Sequence, residues 1–464
     1  MKKLFFILTF TIFGISASAQ YTKLLDFNDT NGRYPNGSLY YDGIFLYGMT
    51  EYGGIKDTGT IFKIKPDGSG YVKLLDFTGF ANGSRPHGSL ISDGTFLYGT
   101  TMNGGINNLG TIFKIKTDGS GYVKLLDFAN VTNGSNPSGS LIFDGSFLYG
   151  VTGYGGIKDS GTIYKIKPDG SSYVKIFDFA GDTNGTVPYG YLFYDGTFLY
   201  GMTGLGGNKN NCGTIYKIKP DGSGYIKLYN FPGPGGGYYS SSLISDGTFL
   251  YGTMNYYDIE DYSEVFKIKP DGSGYMDLFG FGMYFEVGSS PIFNGNYLYG
   301  MTLNYGTNGY GNIFRIKPDS SGYTDLLDFA GATNGSDPLG SLITDGTFFY
   351  GMTYTGGAYN DGVIFKYKDT ATVGLNDINE NNNNIAIYPN PNNGNMQVAY
   401  KIPENTIGTF IIYDLIGKQI LSYPLNSGKN TLTISANDID AGVYFYRAIA
   451  GNKVIAKDKI VVIK

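Results

Sequence analysis

A segment close to Phe-Leu-Tyr-Gly recurs seven times, and this periodicity constrains the fold more than any other feature of the sequence. Its tyrosine stands at positions 47, 98, 149, 200, 251, 299 and 350, so the spacing is 51 residues except for one interval of 48. Self-similarity at a period near 50 residues is typical of propellers and solenoids. The seven copies therefore have to be explained as one repeated structural unit.

Each repeat contains four strand patterns separated by turns. In the second repeat they lie at 88–92, 96–101, 110–116 and 122–128. These runs are rich in β-branched and aromatic residues, which favour strands. The pair Asp93-Gly94 lies between the first two runs, and Asp-Gly between such runs is a strong hairpin signal. Four antiparallel strands per repeat are typical of one propeller blade, so the sequence predicts an all-β protein with a seven-bladed β-propeller at 21–368.

The two ends of the repeat region are out of phase by one strand. Residues 21–27 match the fourth strand of a repeat, whereas 340–368 supply a first, second and third strand with no fourth. We expect 21–27 to pair with 363–368, because this pairing builds one blade from both ends and leaves no unpaired edge. A linear solenoid is the alternative, but it needs capping repeats, and the sequence shows none.

Recurring charged residues are interpreted as parts of the scaffold. Asp93 and its counterparts precede glycine, which indicates a role in turns. Lys63 and Lys65 alternate with apolar residues. We expect both lysines to form a solvated edge that discourages pairing between sheets.

The N-terminus has the pattern of a cleavable signal peptide at 1–19. Lys2 and Lys3 precede a short apolar run, and Ala17-Ser18-Ala19 follows it. The run is too short to cross a bilayer as a helix, and no later segment has the required length. We therefore expect an exported protein without a membrane span, and we expect the propeller to be a monomer.

Composition excludes several classes of function. The formal net charge is −5 with only four arginines, which does not fit nucleic-acid binding. Cys212 is the only cysteine, so no internal disulfide is possible. His87 is the only histidine, which argues against a multi-histidine metal site or a Ser-His-Asp triad. We predict no metal site, no cofactor and no catalytic residues.

A second domain follows the repeats. Residues 369–384 are polar and predict a linker, and 385–464 show short strand patterns that suggest a small β-sandwich. The ordered motifs are Tyr388-Pro-Asn-Pro391, Asp414-Leu-Ile-Gly-Lys418, Ala441-Gly-Val-Tyr444 and a last strand at 459–464. Together these motifs resemble the C-terminal sorting domain of type IX secretion cargo.

The resemblance implies export across the outer membrane through the type IX secretion machinery, followed by release or attachment to the cell surface. The repeats resemble those of choice-of-anchor tandem-repeat surface proteins of the GloVer type, for which no ligand is implied. Asp369-Thr370-Ala371 resembles an O-glycosylation acceptor of bacteria that use this route, with Thr370 as the modified residue.

Binding or adhesion to an extracellular glycan or protein is the function that the sequence favours. A secreted propeller enzyme acting on polysaccharide is the alternative, and it would need a set of polar residues specific to one repeat. Departures from the repeat concentrate in the loops of the fifth and sixth copies, and loops on a rigid scaffold commonly carry binding residues. The predicted binding residues are Tyr256, Tyr257, Asp258, Glu260, Asp261, Tyr262, Tyr284 and Glu286.

Overall fold

The computed structural model describes most of the chain. The described residues are 20–207, 211–232, 241–256, 262–283, 285–369, 385–388, 395–402, 406–414, 419–435, 437–451 and 453–462. The chain divides into two compact units, Met1–Asp369 and Thr370–Lys464. The named secondary-structure elements of the described residues are all strands. No described segment forms a helix that is long and apolar enough to cross a membrane.

The first unit is built from short strands. Those of its first half are β1 (Tyr21–Asp26), β2 (Tyr40–Tyr41), β3 (Leu46–Thr50), β4 (Thr60–Ile64), β5 (Val72–Asp76), β6 (Ser84–Ser92), β7 (Phe96–Asn103), β8 (Thr111–Lys116), β9 (Val123–Asp127), β10 (Ile142–Phe143), β11 (Leu148–Thr152), β12 (Thr162–Ile166) and β13 (Val174–Asp178). Those of its second half are β14 (Thr186–Tyr194), β15 (Leu199–Leu205), β16 (Thr214–Ile218), β17 (Ile226–Asn230), β18 (Ile244–Ser245), β19 (Leu250–Asn255), β20 (Tyr262–Ile268), β21 (Met276–Met283), β22 (Ile292–Asn294), β23 (Tyr297–Thr302), β24 (Asn312–Ile316), β25 (Thr324–Asp328), β26 (Ile343–Thr344), β27 (Phe349–Thr353) and β28 (Val363–Tyr367).

These strands form seven four-stranded sheets among the described residues. Six of them use consecutive strands, and we number them sheet 1 (β2–β5), sheet 2 (β6–β9), sheet 3 (β10–β13), sheet 4 (β14–β17), sheet 5 (β18–β21) and sheet 6 (β22–β25). Sheet 7 has the order β1-β28-β27-β26. Its β1 pairs antiparallel with β28, with Tyr21 opposite Tyr367, which is the pairing that the phase of the repeats predicts.

The Asp-Gly turn of each sheet is held by the aspartate side chain. Asp93 accepts hydrogen bonds at Oδ1 from the backbone N–H groups of Thr95 and Phe96, and at Oδ2 from the hydroxyl of Tyr98 at 2.7 Å. The same tyrosine–aspartate contact occurs in five other sheets. The aspartates therefore act in turns, as their position before glycine indicates.

Sheet 6 has Asn294 at this turn and obtains its carboxylate from elsewhere. The hydroxyl of Tyr299 donates to Oδ2 of Asp369 at 2.9 Å, and Arg315 pairs with the same oxygen at 2.6 Å. Asp369 is buried. The structure thus places Asp369 in the repeat unit and not in the polar linker to which the sequence analysis assigned it.

Hydrophobic clusters fill every seam between neighbouring sheets. Tyr47 and Ile61 of sheet 1 pack against Leu97 and Phe113 of sheet 2, and equivalent clusters join each later pair. Sheet 7 packs against sheet 1 in the same way, through residues that include Tyr350. Each of the seven sheets therefore contributes residues to two of these clusters.

A lysine crosses each of several seams, which corrects one interpretation of the sequence. Nζ of Lys63 donates to the carbonyl oxygen of Thr117 in the next repeat at 2.9 Å and lies 4.8 Å from the centre of the Phe45 ring. Its counterparts in sheets 2 to 5 make the same contact. Lys63 is thus a connector between sheets and not a solvated edge residue, whereas Lys65 is exposed as expected.

The second unit contains two sheets with one core. Its strands are β29 (Ile385–Tyr388), β30 (Met396–Ile402), β31 (Gly408–Tyr413), β32 (Gln419–Leu425), β33 (Gly428–Ile434), β34 (Gly442–Ala450) and β35 (Lys453–Val462). The sheet orders are β29-β30-β33 and β32-β31-β34-β35. Val398 and Ile434 of the first sheet share a buried cluster with Phe410, Ile412 and Ile460 of the second, so the two sheets pack face to face.

We predict that β1 stabilises the repeat unit as much as an internal fourth strand does. Phe27, which follows β1, is fully buried and packs edge-on against Phe62 at 5.3 Å, while Leu24 and Leu25 are half-buried. Phe77 occupies the equivalent place after β5 and packs against Phe113 at the same distance. Phe27→Ala and Phe77→Ala should each lower the free energy of unfolding by about 3–5 kcal/mol, as measured by chemical denaturation. A nearly neutral Phe27→Ala beside a costly Phe77→Ala would contradict this prediction.

Candidate functional site

An inner ring of serines joins the sheets, and its members lie within or just before the first strand of each sheet. The backbone N–H of Ser38 donates to Oγ of Ser89 in the next repeat at 2.9 Å, and Ser89 does the same to Ser140. Equivalent bonds continue from Tyr191 to Ser242, from Ser242 to Ser290, from Ser290 to Ser341, and from Ser341 back to Ser38. These six bonds link every pair of neighbouring repeats except the third and fourth.

Glycine precedes most of these serines because no side chain fits there. A Cβ atom added to Gly139 would lie 1.7 Å from the carbonyl oxygen of Gly190, and one added to Gly37 would lie 1.9 Å from that of Gly88. Such separations are far inside van der Waals contact. The close approach of the backbones therefore explains the recurring Gly-Ser pair of the sequence.

Tyr191 replaces the serine of sheet 4. Burial raises the pKa of Tyr191, and side-chain hydrogen bonds with Ser290, Ser242 and Ser341 partly offset that rise. Its hydroxyl group therefore lies among serines of three other repeats. Of the seven ring residues, Tyr191 alone reaches across the axis in this way.

The ring surrounds a cavity of about 590 Å³, which is within the usual size of small-molecule sites. Its wall consists of the ring serines, the glycines before them and side chains that differ from one repeat to the next. The variable wall residues include Glu51, Arg85, His87, Met102, Tyr191, Glu286, Leu303, Asp337, Leu339 and Tyr354. We call this space the axial cavity.

A strained backbone position recurs beside the axial cavity. Tyr34, Arg85, Asn136, Val187 and Asp337 all have left-handed φ values between 52° and 57°, and a proline follows each of them. This conformation is unfavourable for such residues. Each of their N–H groups donates to a carbonyl oxygen of the preceding repeat, at 2.8–3.1 Å, and these bonds hold the backbone in place. Local strain of this kind is often found at functional sites.

Arg85 and Glu51 form an ion pair in the cavity wall. Nε and Nη2 of Arg85 both donate to Oε1 of Glu51, at 2.8 and 2.5 Å. The hydroxyl of Tyr354 and the amide of Asn36 donate to the other oxygen, Oε2, at 3.2 and 3.4 Å. Burial alone would lower the pKa of Arg85, but the hydrogen bond and the charge of Glu51 outweigh it and raise that pKa. The guanidinium group is therefore charged and fixed in position.

His87 lies two residues after Arg85 in the same wall. Its Nδ1 is 2.7 Å from the carbonyl oxygen of Ser138, and since a carbonyl only accepts, Nδ1 carries the proton. Burial lowers the pKa of His87, with a smaller opposing effect of Glu51. The imidazole is therefore neutral near pH 7, and Nε2 is available as an acceptor.

Carboxylates dominate the charge of the axial cavity. Asp337 accepts a hydrogen bond from the hydroxyl of Thr355. Glu286 is held through its backbone, which bonds Asn304 and Leu303 at 2.8 and 2.7 Å. The described wall residues thus include three carboxylates and one arginine. The described chain contains no group of three or more His, Cys, Asp or Glu side chains that could hold a metal ion.

The structure describes three of the eight binding residues that the sequence predicts. Tyr256 is buried between sheets 4 and 5 and donates to Oε1 of Glu264 at 2.8 Å, so it does not line an exposed patch as expected. Glu286 lies in the axial cavity. Tyr262 begins β20. The other predicted residues, Tyr257, Asp258, Glu260, Asp261, Tyr284 and the glycosylation candidate Thr370, lie outside the described residues.

Sheet 5 contains a buried carboxylate that the sequence analysis missed. Glu264 occupies the position of Thr60, Thr111, Thr162 and Thr214 in other repeats and is 1% exposed. It accepts hydrogen bonds from the hydroxyls of Tyr256 and Tyr275. Burial and the nearby Asp277 raise the pKa of Glu264 to about 8. The signal for this residue was a charged side chain at a position that is uncharged in the other repeats.

Comparisons with known proteins give two family matches. Residues 91–266 match the Gloeobacter/Verrucomicrobia repeat, and residues 386–463 match the secretion system C-terminal sorting domain. No curated protein matches the sequence.

Solved structures show a likeness in fold. An oligogalacturonate lyase in complex with manganese has a TM-score of 0.52 at 11% identity, over 77% of this chain and 95% of that one. The oligogalacturonate lyase of Vibrio parahaemolyticus gives 0.50 at 11%, over 75% and 93%. A puromycin-hydrolysing peptidase of Mycobacterium tuberculosis gives 0.51 at 12%, over 81% and 60%. At such identities the likeness extends to a propeller-like fold alone.

We predict that Glu264 makes folding stability depend on pH. Its pKa is raised from 4.5 to about 8 in the folded protein, so the folded state holds a proton that the unfolded state releases. Stability should therefore fall as the pH rises from about 4.5 to about 8, by up to roughly 1.4 kcal/mol per pH unit. The measurement is chemical denaturation between pH 5 and pH 9. Glu264→Gln and Glu264→Thr should flatten this slope, and a slope unchanged in both variants would contradict the prediction.

Proposed function

Because this chain carries Gloeobacter/Verrucomicrobia repeats and a secretion system C-terminal sorting domain, we propose that it is an exported binding protein whose repeat unit takes a ligand into the axial cavity. The sorting domain indicates type IX export of a secreted or cell-surface repeat protein. The ligand is proposed to be a small polar molecule or the end of a glycan chain.

The proposed scaffold is a closed seven-bladed β-propeller in which each sheet is one blade. The pairing of β1 with β28 and the packing of sheet 7 on sheet 1 support closure. The bond from Ser341 to Ser38 supports it independently, because it joins the last repeat to the first at the axis. A closed ring presents its first strands to a common channel, and this channel corresponds to the axial cavity.

The observation that carries the binding proposal is the contrast between recurring and variable wall positions. The Gly-Ser pair recurs because the ring needs it. The positions beside it differ among repeats, with Asn36, His87, Ser138, Gly288 and Leu339 at equivalent places. A purely structural ring has no need of such variety, whereas a site for an asymmetric ligand does.

The rim of the cavity adds aromatic surface. Tyr34 stacks on Tyr354 at 5.0 Å, and Arg85 lies 5.1 Å from the centre of the Tyr52 ring. Tyrosine offers both a flat apolar face and a hydroxyl group at low entropic cost, which suits glycan or protein ligands.

An enzyme acting on polysaccharide is the second candidate. The neutral imidazole of His87, oriented by Ser138 and placed near Arg85, is the observation that favours it. Incubation of each bound polysaccharide with the protein, followed by analysis of its chain length, distinguishes the two. Shortened polysaccharide chains would show that the protein is an enzyme, and unchanged chains would support a binding protein.

We predict that blocking the axial cavity abolishes binding. The full mature chain is first screened on glycan arrays, and the affinity of each ligand is then measured for Leu339→Trp. Leu339 lines the cavity, so the larger indole should exclude the ligand and weaken binding by at least about tenfold, or 1.4 kcal/mol. Ile44→Trp is the matched control, because Ile44 is 64% exposed and outside the cavity wall. Unchanged affinity in Leu339→Trp would move the site elsewhere.

We predict that the C-terminal domain is needed for export and not for folding of the repeats. Deletion of 375–464 removes the matched sorting domain and leaves the unit that ends at Asp369. Cell fractionation should find the shortened protein in the periplasm, with the thermal unfolding of the repeat unit retained. Normal surface display of the shortened protein would contradict this prediction.

A further inference from the structure

We infer that Arg85 makes the axial cavity selective for a ligand that carries one carboxylate among several hydroxyl groups, that is, for a uronic acid at the end of a sugar chain. The inference rests on the proposed function, because it assumes that the axial cavity is the binding site.

Arg85 keeps one edge of its guanidinium group available. Glu51 engages Nε and one proton of Nη2 through a single oxygen, Oε1. A guanidinium group has five N–H donors, so Nη1 and the second proton of Nη2 remain. Among the described residues, none accepts a hydrogen bond from Nη1. The side chain of Arg85 is 41% exposed whereas that of Glu51 is 4% exposed, so the open edge is the one that a ligand can reach.

The open edge has the geometry of a carboxylate receptor. The two terminal nitrogens of arginine donate in parallel to the two oxygens of a carboxylate, and such charge-assisted pairs are stronger than neutral hydrogen bonds. Glu51 fixes the orientation of the guanidinium group, and the ring of Tyr52 lies 5.1 Å from it. Little rotational freedom is therefore lost when the ligand binds. Lysine could supply the positive charge but not the two parallel hydrogen bonds of a guanidinium group.

Hydroxyl partners come from the serine ring and from His87. Ser38, Ser89 and Ser140 accept backbone hydrogen bonds at Oγ, and the described residues offer no acceptor to their hydroxyl protons. Nε2 of the neutral His87 is an acceptor in the same wall. Several donors and an acceptor within one cavity match a polyol better than an apolar acid.

Carboxylates elsewhere in the wall limit the ligand to one acidic group near Arg85. Asp337 and Glu286 belong to the segment of the wall contributed by sheets 6 and 7. A second carboxylate directed toward Asp337 would meet like charge. The cavity therefore favours a monoacid that is oriented with its carboxylate toward Arg85.

The test is isothermal titration calorimetry of the full mature chain with sodium glucuronate and with glucose, which differ at the carboxylate. Glucuronate should bind at least about tenfold more tightly than glucose, since a hydrogen bond to a charged group contributes roughly 1.5–3 kcal/mol. Arg85→Lys and Arg85→Met should each remove this preference. Arg33→Lys is the matched control, because Arg33 also pairs with a carboxylate, that of Asp57, but lies outside the cavity wall. Thermal unfolding of each variant verifies its fold.

The outcomes separate the inference from the proposed function. Loss of the preference in folded Arg85→Lys, with retention in Arg33→Lys, supports the inference. Equal affinity for both sugars overturns the inference, and so does a preference that survives in Arg85→Lys. In either case Leu339→Trp still shows whether the ligand binds in the axial cavity. Absence of glucuronate binding to the unaltered protein also overturns the inference. The proposed function is then tested by the glycan array and Leu339→Trp, without glucuronate. Should Arg85→Met fail to fold, Arg85→Lys carries the result.

Discussion

The hydrogen bond from the backbone N–H of one ring residue to Oγ of the next repeat's serine is the contact on which the repeat unit depends. Where Gly139 and Gly37 precede the ring serine, the neighbouring backbones approach so closely that no Cβ atom fits. This close approach explains the Gly-Ser pair that four of the seven repeats share. It also directs the neighbouring side chains into the axial cavity, where variation does not disturb the ring.

Outside the ring, seams tolerate change because several contacts hold each of them. A buried cluster and a lysine that donates to the next repeat act together at most seams. Where one contact is missing, another part of the chain replaces it, as Asp369 does for the absent turn aspartate of sheet 6. In sheet 5, Glu264 stands in place of a threonine and is stabilised by two tyrosine hydroxyls. Such substitutions leave the ring intact while they alter local chemistry.

Sequence reasoning succeeded for features that short segments encode. The strands, the Asp93 turn and the match of 21–27 to a fourth strand all follow from periodicity within one repeat. It was wrong for Lys63 and for Tyr256, because their surroundings come from another sheet. It missed the pair of Glu51 and Arg85, which are 34 residues apart and belong to different repeats. No pattern within either repeat indicates that these two side chains meet.

The sequence by itself determined the repeating unit, its strand order, the phase of its two ends and the sorting domain, since turn residues and alternating apolar residues act over a few positions. Only the tertiary structure decided which of the variable residues face one another. The backbone before Pro35, Pro86, Pro137, Pro188 and Pro338 adopts a left-handed conformation and is held by the preceding repeat. That contact crosses a seam, so the charge and shape of the axial cavity arise from the ring as a whole and from no single repeat.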